Sequence, residues 1–434
     1  MKAKSLFLYL YAQFQKIALN KFSLLYMFSS SLLVLTLGHL EIIPLLTIDE
    51  GRETVSSFNI GTDSAHSQNF LLVSSATGNN KLQLFKLRVY NAKKDTILEK
   101  DLEEYLDLNQ GFQFRNRFYY FCKKLFWIDF DKITIDSIHL QQDSYNALFL
   151  ERTKYGDYIT ASYSSGVEIY DISNNKLVHS ILLSEQVRRD RPQRYNNLIF
   201  YQNSETELAA YDLTSNKISW KFGTGKRPVS LFGIKVGSMP NIIGRYRMIS
   251  EHGKPTLVMT TFAGDLFKFD PDNGNVLIKN ERFKGMGNNA GLITKIALAD
   301  INGDGIKDIV GTSVDDNIYC IDGKTLSIIW EYNTDNENQA PLALYDINND
   351  SVPDVFSVND KGKLSVIDGK TGSLLKEMQL EKDVKFLQSS VILADFNGDG
   401  NLDMIVKGGE HRIAVFQISS IQVQQNEIVW IPFQ

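Results

Sequence analysis

Two stretches near the C-terminal end read almost as one phrase: GTSVDDNIYCIDGKTLSIIWEY from Gly311 to Tyr332 and SVNDKGKLSVIDGKTGSLLKEM from Ser357 to Met378. Each gives an apolar strand, a polar break, a second strand ending in Asp, a tight turn and a third strand. Alternating side chains bury one face of such a strand, and the Gly, Asn and Asp of the turns supply what hairpins need. Working outward, looser copies are TTFAGDLFKFDPDNGNVLIKN, SETELAAYDLTSNKISWKF, SYSSGVEIYDISNNKLVHSIL and KKLFWIDFDKITIDSI. The recurring Asp falls at Asp129, Asp171, Asp212, Asp270, Asp322 and Asp368, in steps of 42, 41, 58, 52 and 46 residues. Periods of this size mark four-stranded propeller blades. A weak copy at LLVSSATGNNKLQLFKL and a final one at DMIVKGGEHRIAVFQISSIQVQQNEIVWIPF, where Gln417 replaces the Asp, bring the count to eight. The expected fold is all-β: a closed β-propeller over residues 68–434 with eight blades, or seven as the alternative. Closure leaves no long unpaired sheet edge. The turn Asp residues are expected to accept backbone N–H bonds and are assigned no chemistry.

Three segments carry a tighter spacing: DINGDGIKD (300–308), DINNDSVPD (346–354) and DFNGDGNLD (395–403). Oxygen side chains stand at positions 1, 3, 5 and 9: Asp300, Asn302, Asp304 and Asp308; Asp346, Asn348, Asp350 and Asp354; Asp395, Asn397, Asp399 and Asp403. A hard cation such as calcium takes six to eight oxygens and can be wrapped by a short loop whose alternate side chains turn inward. A backbone carbonyl at position 7, from Ile306, Val352 or Asn401, would complete each shell, so up to three Ca2+ are expected. Gly305 and Gly400 ease the turn after position 5, whereas Ser351 stands there in the second loop, which is expected to be the weakest site. Position 12 offers Gly311, Ser357 and Val406 in place of a bidentate Glu, and a strand follows, so these are not EF-hands. Without metal, the same spacing would serve as three Asx-turn connections.

These motifs resemble known families. The strand phrase is similar to the repeat of the quinoprotein-alcohol-dehydrogenase-like superfamily, D-x-x-T-G-x-x-x-W, through Asp322, Thr325 and Trp330, through Asp368, Thr371 and Gly372, and more loosely through Asp212, Thr214 and Trp220. The acidic loops resemble the calcium loops of FG-GAP and VCBS repeats, the type found in integrin α-subunit propellers. That resemblance implies calcium at one rim, held by the loop residues just named, in a chiefly structural role.

Composition narrows the function. A net charge of -5 and a pI near 5.8 argue against a general nucleic-acid binder. Cys122 and Cys320, far apart and each in an apolar run, exclude a disulfide framework or a cysteine metal site and read as buried, inert thiols. Between Lys21 and Glu41 run 19 residues without formal charge, Phe22–Leu40, preceded by Lys2, Lys4, Lys16 and Lys21. This length and charge pattern predict a cytoplasmic segment (1–21), a membrane-spanning signal-anchor (22–44), a linker (45–67) and an extracytoplasmic propeller in a periplasm, at a cell surface or in an organelle lumen. A cleaved signal peptide is the alternative, but no small-x-small pattern follows Leu40.

No nucleophile elbow, HExxH or P-loop occurs, and the six His show no ligand spacing. The expected role is a non-catalytic scaffold for protein interaction, adhesion or assembly. The alternatives are a quinone-dependent oxidoreductase, which would want a vicinal cysteine pair that this chain lacks, and a glycan-binding surface protein. Two basic stretches break the repeat, 184–194 (SEQVRRDRPQR) and 223–255, and are the candidate surfaces for a protein partner.

Overall fold

The computed structural model describes the chain from Ile42 to Trp430 apart from breaks at 51–53, 64–67, 80–81, 103–107, 109–110, 123, 139–146, 154–155, 164–165, 173, 175, 184–190, 232–233, 282–295, 314, 337, 339, 381–389, 408–410 and 425–427. Seven four-stranded antiparallel sheets follow one another along the chain: blade 1 (54–102), blade 2 (112–138), blade 3 (147–182), blade 4 (193–223), blade 5 (243–280), blade 6 (297–333) and blade 7 (343–379). Blade 8 has five strands: three from residues 392–422, an outermost one from the other end of the chain, Ile42–Asp49, and a short innermost one, Ile428–Trp430, paired with Ile392–Ala394. First strands of neighbouring blades approach one another, and in blade 8 the short strand Ile428–Trp430 takes that place beside blade 7, so the first strand is the innermost in blades 1 to 7 and the fourth the outermost.

Ring closure rests on the antiparallel pairing of Ile42–Asp49 with Arg412–Gln422, in a register running from Ile42 opposite Ile418 to Asp49 opposite Arg412. The propeller therefore begins at Ile42 and not at residue 68. The expected linker 45–67 holds most of this strand and also Thr54–Asp63, the first strand of blade 1, while residues 42–44 of the expected anchor are already sheet. The closing strand escapes the repeat pattern because its blade-mates lie at the far end of the sequence. It also explains Gln417: blade 8 needs no hairpin to a fourth strand, so Arg412–Gln422 runs straight through the position where other blades turn. The proposed anchor itself, up to residue 41, lies outside the described residues, among which no helix is long and apolar enough to cross a membrane.

Eight hydrophobic clusters fill the eight interfaces, one between each pair of adjacent blades. The cluster of Ile48, Ile60, Val73, Phe396, Ile405 and Val415 joins blade 8 to blade 1, as Phe356, Val366, Leu393 and Met404 join blade 7 to blade 8. Each sheet thus buries both faces, which is why its second and third strands read as nearly unbroken apolar runs such as NIYCI and KLSVI. Cys320 sits in this core as a buried free thiol, and burial beside the Asp308 and Asp322 carboxylates pushes its ionisation up.

Polar bonds index one blade against the next. Trp220 Nε1 donates to the Pro271 carbonyl at 2.9 Å, and Trp330 Nε1 to that of Gly369 at 2.6 Å, so the indole of one blade holds the hairpin turn of its successor. Between blades 5 and 6 the corresponding outer position is Ile278, which has no donor. Lys268, opposite it, takes over: its buried ammonium reaches the carbonyls of Gly323 (3.1 Å) and Lys324 (3.3 Å) and pairs with Glu251 at 2.5 Å.

Strand direction alternates within a blade. The loops between first and second strands and the turns between third and fourth strands therefore share one face, the loop face. Turns between second and third strands and the connections between blades share the other, the connection face. The basic stretch 223–255, expected as one partner loop, is in fact two things: an inserted hairpin on the connection face, Lys226–Leu231 with Ile234–Pro240, and then the first strand of blade 5, Ile243–Glu251. Arg227 anchors the hairpin by a forked bond to Asp265 (2.6 and 3.1 Å) and a bond to the Ala263 carbonyl. Of the other basic stretch, 184–190 lies outside the described residues and Arg191 is buried.

Lys268→Met would leave three acceptors unpaired in or near an interface, and the free energy of unfolding by urea should fall by about 3 kcal/mol. Trp330→Phe, which deletes one donor and keeps the ring, should cost about 1 kcal/mol by the same measurement.

Candidate functional site

The three acidic loops join first to second strands of blades 6, 7 and 8 and so stand side by side on the loop face. Each is built from its own side chains. In the first, Asp300 Oδ1 accepts the N–H groups of Gly303 (2.8 Å) and Asp304 (3.1 Å), and Oδ2 that of Gly305 (2.9 Å). Asn302 Oδ1 accepts from Asp304 N–H at 3.0 Å and Asp304 Oδ1 from Ile306 N–H at 2.9 Å. The third loop repeats this pattern through Asp395, Asn397 and Asp399. The second does so through Asp346, Asn348 and Asp350, but the conformation differs in what it asks of the backbone. Where the outer loops place Gly305 (φ 83°) and Gly400 (φ 79°), it places Ser351 at φ 69°. A left-handed residue with a Cβ is strained by about 1 kcal/mol, so the second loop is the least relaxed of the three.

The position-9 carboxylates lie beneath the loops, with no exposed surface on Asp308, Asp354 or Asp403. Asp308 Oδ2 accepts the N–H groups of Ile301 (2.9 Å) and Asn302 (3.2 Å), and its Oδ1 that of Gly323 (2.8 Å) in the hairpin turn of the same blade. Asp354 likewise joins Ile347 N–H to Gly369 N–H, both at 2.9 Å. Loop and turn are further tied by Asn302 to Asp322 and Asn348 to Asp368, both at 3.2 Å. The two backbones touch so closely that a Cβ on Gly323 or Gly369 would run into the carbonyl of Lys307 or Pro353. Sequence reasoning missed these two glycines and gave the turn Asp no part in the site. A signal was present: Asp is followed by Gly only in the turns of blades 6 and 7, and by Phe130, Ile172, Leu213 or Pro271 at the earlier turns.

Blade 8 has no such turn. Asp403 Oδ2 holds Phe396 N–H at 2.9 Å, but its buried Oδ1 has no hydrogen-bond partner, and Gln417 instead binds Asp399 at 2.7 Å. Of the position-7 residues, Ile306 and Val352 send their side chains into the blade core, and Asn401 opens the second strand of blade 8.

Burial raises the ionisation of all three position-9 acids. For Asp354 and Asp403 it is pushed up to about 7, with repulsion from Asp350 and Asp368 in one and from Asp395 and Asp399 in the other adding to it. Among the described residues, none of Asp300, Asp304, Asp308, Asp346, Asp350, Asp354, Asp399 and Asp403 has an ion pair with Lys or Arg. No three His, Cys, Asp or Glu side chains among the described residues are gathered tightly enough to hold a metal ion. The donor set itself fits a hard cation: oxygen only, anionic, and with one buried carboxylate oxygen unpaired at Asp403.

Fold and site together define an eight-bladed β-propeller carrying an FG-GAP-like repeat. The FG-GAP-like repeat family matches residues 346–406, from the second acidic loop through the third. No curated protein sequence matches the chain. Among solved structures, Sqt1 of Saccharomyces cerevisiae is similar with a TM-score of 0.60 at 12% identity, over 87% of this chain and 100% of that one. Sqt1 of Chaetomium thermophilum, bound to the N-terminus of the ribosomal protein L10, gives 0.57 at 12% identity over the same shares, 87% and 100%. The designed protein Ika8 gives 0.55, also at 12% identity and over 87% and 100% of the two chains. At these identities the likeness is one of fold.

A buried acid whose pKa is raised in the folded state binds its proton there over a range in which the unfolded chain, near 3.8, has already lost it. Stability of the metal-free protein is then fully present at low pH and declines as pH rises from about 4 to about 7. Urea unfolding in chelator at stepped pH should show that decline, and the double variant Asp354→Asn, Asp403→Asn should flatten it.

Proposed function

We propose that this chain is a membrane-anchored, extracytoplasmic propeller, stabilised by calcium and working as a non-catalytic scaffold for a protein partner. The observation that carries the reading is the set of three adjacent loops, each with oxygen side chains at positions 1, 3, 5 and 9 over a fully buried position-9 carboxylate, that of Asp403 with an unpaired oxygen. Calcium would be held by Asp300, Asn302, Asp304 and Asp308, with the Ile306 carbonyl, and by the equivalent residues 346–354 and 395–403. It would neutralise oxygens that otherwise repel one another, and would link each loop to its blade. Those buried acids would then ionise readily, which removes the loss of stability expected without metal.

The scaffold reading draws on architecture. A rigid ring presents many loops on two faces with no need for a reacting group. Propellers of similar fold hold protein partners: the Chaetomium Sqt1 structure contains the N-terminus of L10, and a BBS1 N-terminal propeller, at a TM-score of 0.50 and 8% identity over 89% of this chain, is seen with ARL6. The anchoring part rests on the uncharged run Phe22–Leu40 and the lysines before it.

The test is thermal unfolding of the metal-stripped protein during titration with Ca2+ and, separately, Mg2+. A Ca2+-selective rise in Tm is expected, reduced in each of Asp304→Ala, Asp350→Ala and Asp399→Ala, with the second loop the first to lose response at low Ca2+. No rise at millimolar Ca2+ would remove calcium from the proposal.

A further inference from the structure

Blade 8 differs from its two predecessors at one point, and the difference joins the third acidic loop to the closing strand. In blades 6 and 7, Oδ1 of the position-9 acid is held by the N–H of a turn glycine, Gly323 or Gly369. In blade 8 the strand Arg412–Gln422 runs straight through the place of that turn, and the fully buried Asp403 keeps its Oδ1 without a hydrogen-bond partner among the described residues. The Asp395 and Asp399 carboxylates lie close enough to repel it. A buried oxygen left in this state is costly, and a hard cation is what the donor set can accept in place of the missing N–H.

The segment 417–422 is held from both sides. On one edge, Gln417 and Ile418 pair with Asp403 and Leu402 of the strand that leaves the acidic loop. On the other edge, the same two residues pair with Ile43 and Ile42 of the closing strand. Side chains strengthen the attachment to the loop: Gln417 Nε2 donates to Asp399 Oδ2 at 2.7 Å and Gln422 Nε2 to Asn401 Oδ1, while the Val423 N–H donates to the Gly400 carbonyl at 3.0 Å. Loop and closing strand therefore both require this segment to be extended. The entropy of ordering it is lost once, so whichever attachment forms first favours the second. Asp308 and Asp354 make no such link, since each binds a turn of its own blade.

We propose that the third acidic loop is the latch of the ring: through Asp399, Asp403 and Gln417, calcium in that loop and docking of Ile42–Asp49 favour one another, whereas the loops of blades 6 and 7 have no direct tie to the closing strand. This rests on the calcium reading above and gives one of the three sites a regulatory part. Removal of calcium then loosens the molecule at one seam, between blades 8 and 1. By reciprocity, an open ring binds calcium at the third loop more weakly, by the same factor by which calcium tightens closure.

The test is amide hydrogen exchange of the full chain in Ca2+ and in chelator, read on the closing strand Ile42–Asp49 and, as a reference four blades away, on Glu207–Asp212. Calcium is expected to slow exchange of the closing strand roughly tenfold more than that of the reference, in the parent and equally in Asp304→Ala. Asp399→Ala should abolish that difference. Gln417→Leu, which keeps all four oxygen positions of the loop, should reduce it while calcium still raises Tm. Equal protection of both strands, a difference that survives Asp399→Ala, or one lost as fully in Asp304→Ala would overturn the latch, and a parent Tm that still rises with Ca2+ would leave the calcium reading intact. A parent whose Tm does not respond to Ca2+ would overturn the calcium reading, and the latch with it.

Discussion

Everything in this molecule depends on one strand pairing, that of Ile42–Asp49 with Arg412–Gln422. Without it, blade 8 would lose its outermost strand, and the face of blade 1 that holds Ile60, Leu71 and Val73 would lose its contact with Ile48. A ring of sheets is stable because every sheet buries both faces, and that condition fails at two blades at once if the ring opens. Tyr90 and Arg88 of blade 1 both bind Glu50, the residue that follows the closing strand, so a polar lock sits beside the apolar one. Burial and the Glu50 carboxylate hold the Tyr90 hydroxyl protonated, which suits its role as donor.

Blades 6, 7 and 8 form a graded series. In the first two, a buried Asp bridges the acidic loop to an Asp–Gly turn, so loop and hairpin move as one body. In blade 8 the closing strand removes the turn, and Asp403 keeps only the half of the bridge that faces its own loop. Closure of the ring and completion of the third loop therefore compete for the same place in the blade, and the unpaired oxygen of Asp403 is what that competition leaves behind.

The eight-bladed plan was legible because turns repeat what strands need: Asp322 and Asp368 bind Lys324, Thr325 and Thr371 N–H groups as a turn Asp must, and the spacing of such turns counts blades. What was not legible had to be assembled from distant parts. Ile42–Asp49 reads as the flank of an apolar run, because half of an outermost strand faces solvent and its partners come some 370 residues later, Ile418 against Ile42. The stretch GRYRMISE reads as a basic loop because Arg245 and Arg247 interrupt it, yet it is the first strand of blade 5, and Arg227 before it serves Asp265 rather than a partner. The acidic loops were found as spaced oxygens. Their coupling to Gly323 and Gly369 was not, since nothing local says that two loops fifteen residues apart share one carboxylate.

The closing strand also sets an order of events in time. During synthesis it is made before any complete blade, and its partner emerges only when nearly the whole ring has been translated. For that interval an edge strand with exposed Ile43 and Leu45 must stay unpaired, in a chain whose other blades form from contacts close in sequence. Seven blades can assemble in the order they are made, while the eighth must wait for the two ends to meet. The slow step in folding, and the window in which the chain is open to mispairing, belong to that single encounter.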